Sequence, residues 1–381
     1  MTVPQPSLLL LRSLSDELVV RVLAAEPRLT RAEIATLIGL SKPTVAESVR
    51  RLESAGIVAD TGERTTSRGG VGSYYALADG VGTALAIHVA AESVTAEVID
   101  PYGSVLSRAS AIVPRPATQA VVKRTLKAVA SRALADRTGP VRVAVVSAAD
   151  PVNRRTGSLV QLPDAPFLVG DLSPADALEG VVHGEVLVDN DVNWAARAER
   201  TAHPEGTFDD FAYLFLGEGL GCAIVSEGVV VRGHTGIAGE VAHVLTTAPD
   251  GSASFFTEVF SALHLRQSDS TAIDVGALIE AAADRPEVRL ALARAVSGVL
   301  GALVALSDPS CVVVGGPWGS NSVILEAVRT EFASHPRAVP LLAPAVIHEQ
   351  TITGARDAAR AELQSALVRL AIGDVTSMST R

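Results

Sequence analysis

Between Ser41 and Ser54 the chain carries polar residues whose types and spacing suit contact with DNA. On a helix turning by 100° per residue, Pro43, Glu47, Arg50 and Ser54 share one face, with Thr44 and Arg51 beside it. The opposite stripe is Val45, Val49 and Leu52. Arginine, lysine and hydroxyl side chains hold phosphate oxygens, and a glutamate can accept from a cytosine amino group. The candidates are Ser41, Lys42, Thr44, Glu47, Ser48, Arg50 and Arg51, with Arg64 and Arg68 farther on. A merely solvated helix face has the same composition, and there Glu47 would weaken phosphate binding.

The surrounding pattern supplies the elements that such a face needs. Leu8, Leu11, Leu14, Leu18 and Val22 recur at helical spacing before Pro27, which predicts a first helix with those residues buried. Thr30-Arg-Ala-Glu33 reads as a capping box opening a second helix that presents Ile34, Leu37 and Ile38. Gly39-Leu40-Ser41 makes the turn, and Ser41 caps a third helix that runs to Ala55 and is stopped by Gly56. Ile57-Val58-Ala59 and Ser73–Leu77 read as strands around a tip at residues 64–72. Helix, helix-turn-helix and β-wing in this order is a winged helix. Its third helix enters the major groove, and Arg64 or Arg68 on the wing reaches a phosphate or the minor groove.

Charge sets this segment apart. Residues 1–80 hold nine basic and nine acidic residues, so the rest carries 23 against 33 and the whole net charge of −10. A neutral module on an acidic body can turn its cations toward a polyanion while the body repels unspecific contact. With 48% hydrophobic and 19% charged residues, the 381-residue chain folds, and its length suits more than one domain. The longest apolar run, Val299–Leu306, falls short of a bilayer span, and no signal peptide opens the chain, so a cytoplasmic protein with no membrane partner is expected. Cys222 and Cys311 lie in apolar surroundings and read as buried thiols.

From Thr83 onward strands and helices alternate: Thr83–Ala91, Val94–Asp100, a helix over Ala117–Ala135, and Val141–Ser147, an α/β pattern. Farther on stand Glu185-Val-Leu-Val-Asp-Asn-Asp-Val-Asn193, Leu214-Phe-Leu-Gly-Glu-Gly-Leu-Gly221, Gly233-His-Thr-Gly-Ile-Ala-Gly-Glu-Val-Ala-His243 and Val312-Val-Val-Gly-Gly316. Together these resemble the ROK family of repressors and sugar kinases, whose body is an actin-like, hexokinase-like two-lobed fold. The most specific element is Gly233, Gly236, Ala238, Gly239, Glu240 and His243. The resemblance implies a winged helix over residues 1–80 and a ROK domain for effector binding and oligomerisation over 81–381.

Two departures bear on activity. The family's kinases place an Asp-x-Gly-Gly-Thr hairpin against the phosphates, where this chain reads His88-Val-Ala-Ala-Glu92. Their second phosphate loop, Gly-Thr-Gly-x-Gly, is here Gly217-Glu-Gly-Leu-Gly221. A like-charge pair at about 4 Å repels by about 4 kcal/mol at an effective dielectric of 20, so two carboxylates oppose ATP binding unless they turn away. Gly315-Gly316 matches the adenosine-side turn and equally a plain β–α turn, the reading preferred here.

The resemblance also implies a hexose site formed by Asn190, Asp191, Glu240, His243 and Glu258, with Asp191 at the position of the kinases' general base. Carboxylates and amides bind several hydroxyls at once. Asp164 replaces the asparagine of the family's Pro-Asn. In plain structural terms Asn190 and Asp191 would organise a turn and Glu240 would cap a helix. The family's structural zinc uses the histidine and three cysteines, whereas Gly251-Ser-Ala-Ser-Phe-Phe-Thr-Glu258 has no cysteine, so no zinc is expected and Phe255 and Phe256 would fill its place. His243 is then a sugar ligand or an interior histidine.

The expectation is a transcriptional regulator of the ROK family, a repressor, that binds a double-stranded DNA operator as a homodimer or homotetramer. It would answer to a sugar or related metabolite, with no catalytic residue, cofactor or metal. The alternatives are an ATP-dependent sugar kinase with an accessory winged helix, and a regulator that has lost sugar sensing.

Overall fold

The computed structural model describes residues 8–65, 72–90, 92–113, 118–136, 139–162, 171–347 and 349–377. The chain opens with α1 (Leu8–Ala25), β1 (Leu29–Thr30), α2 (Arg31–Ile38), α3 (Lys42–Ser54), β2 (Val58–Arg64) and β3 (Ser73–Leu77). The strands form a sheet in the order β1-β3-β2. The capping box is complete: the Glu33 amide donates to the Thr30 hydroxyl at 3.2 Å, and the Thr30 amide donates to the Glu33 carboxylate at 2.8 Å. Gly39, at φ +68°, makes the left-handed turn into Ser41, whose hydroxyl accepts from the Thr44 amide.

One expectation fails at α1. Its buried side is Ser15, Asp16, Val19, Val20, Leu23 and Ala24, while Leu11, Leu14 and Leu18 are 49%, 46% and 37% exposed. The rotation has a polar cause: Asp16, 3% exposed, receives Arg51 of α3 at 2.6 Å, and Ser15 receives the Ser48 hydroxyl at 2.8 Å. Turning the leucines inward would leave Arg51 and Ser48 without these partners.

The body repeats one topology twice. The first lobe holds β4 (Thr83–Val89), β5 (Ser93–Ile99), β6 (Val105–Ile112), α4 (Gln119–Ala133), β7 (Val141–Ala148), α5 (Pro174–Ala177), β8 (Glu185–Asn190) and α6 (Asp191–Thr201). Its sheet order is β6-β5-β4-β7-β8, with β4, β7 and β8 parallel. The second lobe holds β9 (Phe211–Leu216), β10 (Leu220–Ser226), β11 (Val229–Val230), β12 (Leu245–Thr247), β13 (Ala253–Phe255), α7 (Phe256–Ala262), α8 (Val275–Asp284), α9 (Pro286–Ser307), β14 (Val312–Gly315), α10 (Ser322–Phe332) and β15 (Leu341–Leu342). Here the order is β11-β10-β9-β14-β15, again antiparallel on one side and parallel on the other. Parallel strands covered on both faces read as continuous apolar runs, which is how β4 and β7 appear in the sequence.

The final helix, α11 (Gln350–Ser377), returns to the first lobe and packs on α6, β4, β7 and α1. One buried cluster therefore runs from Val20 and Leu23 of α1 through Leu363 and Leu367 of α11 to Trp194 of α6. The apolar stretch of the sequence also proves longer than Val299–Leu306: α9 is 22 residues, long and apolar enough to cross a bilayer. It instead lies in the second-lobe core, burying Leu292, Val296, Val299 and Leu300 completely.

Candidate functional site

Two sites emerge. On the winged helix, Ser41, Lys42, Thr44, Glu47 and Arg50 are exposed, with Ser41 fixed as the N-cap of α3 and its hydroxyl 2.7 Å from that of Thr44. Arg50 donates to both oxygens of Glu47 at 2.7 and 2.9 Å. That bond holds the Glu47 carboxyl below its usual range and the Arg50 guanidinium above its own. Glu47 thereby orients the arginine and also neutralises it. Arg64, half-exposed on β2, pairs with Asp60 at 2.9 Å. Arg68 lies outside the described residues.

Two residues of the expected DNA face turn out to be internal. Ser48 is fully buried on α1, and Arg51 reaches back to Asp16, Ser15 and Ser48. Both lie next to the buried Val45-Val49-Leu52 stripe, close enough to be drawn into the helix interface by the acceptors on α1.

The second site is a cavity of about 380 Å³ between the two lobes. Asn190 and Asp191 mark its floor, at the carboxyl end of β8 where α6 begins. Asn190 acts chiefly as the cap: its oxygen accepts from the Val192 amide at 2.9 Å, and its Nδ2 donates to the Asp150 carbonyl at 3.3 Å. Asp191 is partly buried at the first turn of α6, and desolvation pushes its carboxyl up to about 7. Glu240 arrives from the second lobe just before a short 3-10 turn over Val241–His243. Burial, reinforced by Asp191, pushes it also to about 7. It is delivered by Gly239, at φ +95°, where a Cβ would collide with the Cys222 carbonyl oxygen, so the glycine is obligatory.

A third carboxylate, Asp150, is not among the residues singled out from the sequence. It follows β7, lines the cavity and is 6% exposed. Burial, then Asp191 and Glu240, push it up to about 7. The signal available in the sequence is its place at the carboxyl end of a parallel strand, next to that of Asp191. Asp189, one residue before Asn190, is of another kind: Arg197 and Arg232 neutralise it at 3.1 and 2.5 Å.

Other candidates separate. His243 lines the cavity and meets Phe255 edge-on at 5.9 Å between ring centroids. Glu258 does not join the lining: Arg266 holds it at 3.0 Å on the α7 side, which corrects its assignment to the effector site. Asp164 lies outside the described residues. Phe256 is fully buried against Phe260, whereas Phe255 is 46% exposed, so only one of the two phenylalanines fills the interior. Among the described residues no group of histidine, cysteine, aspartate and glutamate has a metal-holding arrangement. Burial pushes the Cys222 thiol up to about 12, which suits an inert interior thiol.

Glu92 and Glu218 also line the cavity. The Gly217–Gly221 loop is pinned, with Trp318 Nε1 donating to the Gly217 carbonyl at 2.9 Å and the Ile273 amide to the Glu218 carbonyl at 2.9 Å. Gly315 and Gly316 serve the β14 turn: a Cβ on Gly316 would meet the Leu216 carbonyl, and neither glycine lines the cavity.

This is a winged helix-turn-helix joined to a two-lobed, sugar-kinase-like body. Residues 12–59 match the family of winged helix-turn-helix DNA-binding domains, and residues 84–259 match the ROK family. The chain carries a ROK-family domain, matched over residues 84–259. It is similar over 95% of its length to the structure of a ROK family transcriptional regulator, a homologue of the E. coli MLC protein, at 18% identity, 99% coverage of that chain and a TM-score of 0.66. The body is similar to a ROK family glucokinase from Streptomyces griseus in complex with glucose and AMPPNP (23% identity, 74% of this chain, 100% of that one, TM-score 0.55). It is also 27% identical to the N-acetylmannosamine kinase of Shigella boydii over 303 residues, 74% of this chain and 99% of the relative.

Proposed function

We propose that the protein is a cytoplasmic DNA-binding transcriptional regulator, a repressor, that senses a sugar or related metabolite in the interlobe cavity without phosphorylating it. The observation that carries this reading is a winged helix sharing one continuous buried core with a sugar-kinase-like body whose cavity is lined by Glu92 and Glu218, in the stretches that resemble the kinases' phosphate loops. A single winged helix covers too little DNA for strong specificity, so a two-fold symmetric oligomer on a pseudo-palindromic operator is the physical expectation. Lys42, Thr44 and Arg50 of α3, with Arg64 of the wing, make the contacts, and Glu47 sets the direction of Arg50.

The ligand would act through α6. Asp191 opens that helix at the cavity, α6 packs on α11, and α11 packs on α1. A ligand that binds one lobe arrangement more tightly shifts the seat of α11 and with it the separation of paired α3 helices. Selection of genomic fragments by the purified protein at about 150 mM salt tests the reading, since unspecific counterion-driven binding is suppressed there. Enrichment of fragments sharing an inverted repeat supports it; recovery without any shared sequence rejects it.

A sugar kinase is the second reading, favoured by one feature: Asp191, pushed up to about 7, is poised as a general base for a sugar hydroxyl. Sugar-dependent ATP turnover by the purified protein would establish it, and its absence would leave the sensor.

A further inference from the structure

The interlobe cavity is acidic beyond what hydroxyl recognition requires. Glu92, Asp150, Asp191, Glu218 and Glu240 all line it, and among its described lining residues there is no lysine or arginine. Asp150 is the telling member. It is only 6% exposed, yet among the described residues nothing hydrogen-bonds or ion-pairs with its carboxylate. Elsewhere the fold neutralises a buried carboxylate: Asp189 by Arg197 and Arg232, and Glu97 by Arg356 and Arg108. A carboxylate this deep with no protein partner is costly, and its oxygens face the cavity, where water or a group brought by a ligand can satisfy them.

We propose that the effector is a sugar carrying a free, protonated amino group, an aminohexose, whose ammonium sits among Asp150, Asp191 and Glu240 while its hydroxyls meet the remaining polar lining. The ammonium supplies three donors and a positive charge, matching carboxylates that otherwise repel one another. A bare divalent cation fits less well, because no metal-holding arrangement of these groups occurs among the described residues. The cavity, about 380 Å³, also leaves room for a ring beside the charge, and Pro151, Leu220 and Ile273 give it apolar walls. The inference rests on the reading of the cavity as the effector site.

Titration calorimetry at fixed pH and salt tests it with the full-length protein. The probes are D-glucosamine, D-galactosamine and D-mannosamine, their N-acetyl derivatives, the parent hexoses, and methylammonium as a charge control. At least one free aminohexose is expected to bind tenfold or more tightly than its neutral counterparts, and methylammonium to bind far more weakly. The isosteric Asp150→Asn protein, its fold checked by circular dichroism, should lose most of that preference and keep any affinity for the hexose. A neutral sugar binding as well as or better than every aminohexose overturns the proposal and leaves the effector reading standing. Methylammonium binding as tightly as the aminohexose also overturns it. Absence of binding by any sugar overturns both.

Discussion

Gln364 of α11 donates its side-chain amide to the carbonyl of Ala24, at the end of α1, at 3.1 Å. The same nitrogen reaches the Pro101 carbonyl beyond β5 at 2.8 Å. One side chain thus ties the DNA-binding segment and the first lobe to the helix that packs on α6. Hydrogen bonds of this kind contribute about 1 kcal/mol each, the size of a typical coupling energy. Gln364→Ala is expected to shrink the effector-induced change in operator affinity by about threefold to tenfold, with ligand affinity nearly unchanged. Fluorescence anisotropy with a labelled operator, with and without effector, measures it; an undiminished response would remove α11 from the route.

Gly354 sits where α11 crosses α6, and a Cβ there would overlap the Trp194 carbonyl oxygen. Trp194 cannot retreat, because its indole N–H donates to the Val146 carbonyl at 3.1 Å within the core. Gly354→Ala should therefore lift α11 from α6 and cost about 1–3 kcal/mol. Thermal unfolding would show a fall in Tm of several degrees; an unchanged Tm would mean that the crossing yields easily.

The winged helix is legible in the sequence because local rules govern it. Thr30, Glu33, Gly39 and Ser41 act on neighbours within three residues, and the structure uses each as its spacing predicts. The face of α1 is not legible, because Asp16 and Ser15 are drawn inward by Arg51 and Ser48, about thirty-five positions away. Leucine periodicity carries no information about such a partner. Asp191 and Glu240 stand out through their motif, whereas Asp150 meets them only once β7 and β8 lie side by side. Glu258 fails for the converse reason: Arg266 lies eight residues on and claims it in the folded chain.

Arg50 and Arg51 are adjacent and of one chemical type, but they should behave differently. Arg50→Ala removes an exposed side chain and should weaken operator binding severalfold or more with no change in Tm. Arg51→Ala strands Asp16, 3% exposed, and should destabilise the winged helix by about 2–4 kcal/mol. Melting curves and operator titrations on both variants separate the roles; equal Tm values would refute the inward assignment of Arg51. Glu47→Ala, by freeing Arg50 and deleting a negative charge, should tighten unspecific DNA binding most at low salt.

The carboxylate cluster makes the ligand-free protein sensitive to pH. Asp150 is pushed from 3.8 to about 7 by burial and its neighbours, so the folded state binds its proton more tightly than the unfolded state does. Its favourable contribution is complete below the unfolded value, declines as pH rises between them, and is gone above about 7. Asp150→Asn removes that decline. A tenfold difference in proton affinity between the two states corresponds to about 1.4 kcal/mol, an upper bound where neighbours relax, so the variant should gain about 1–3 kcal/mol over the parent at pH 8. His88, held neutral by burial with its pKa lowered to about 4, affects both proteins alike and cancels in the difference. Urea unfolding of the pair across that range gives the measurement. A stability gap that grows from pH 5 to pH 8 places the buried charge at Asp150, whereas a constant gap would mean that the carboxylate is ionised and accommodated throughout.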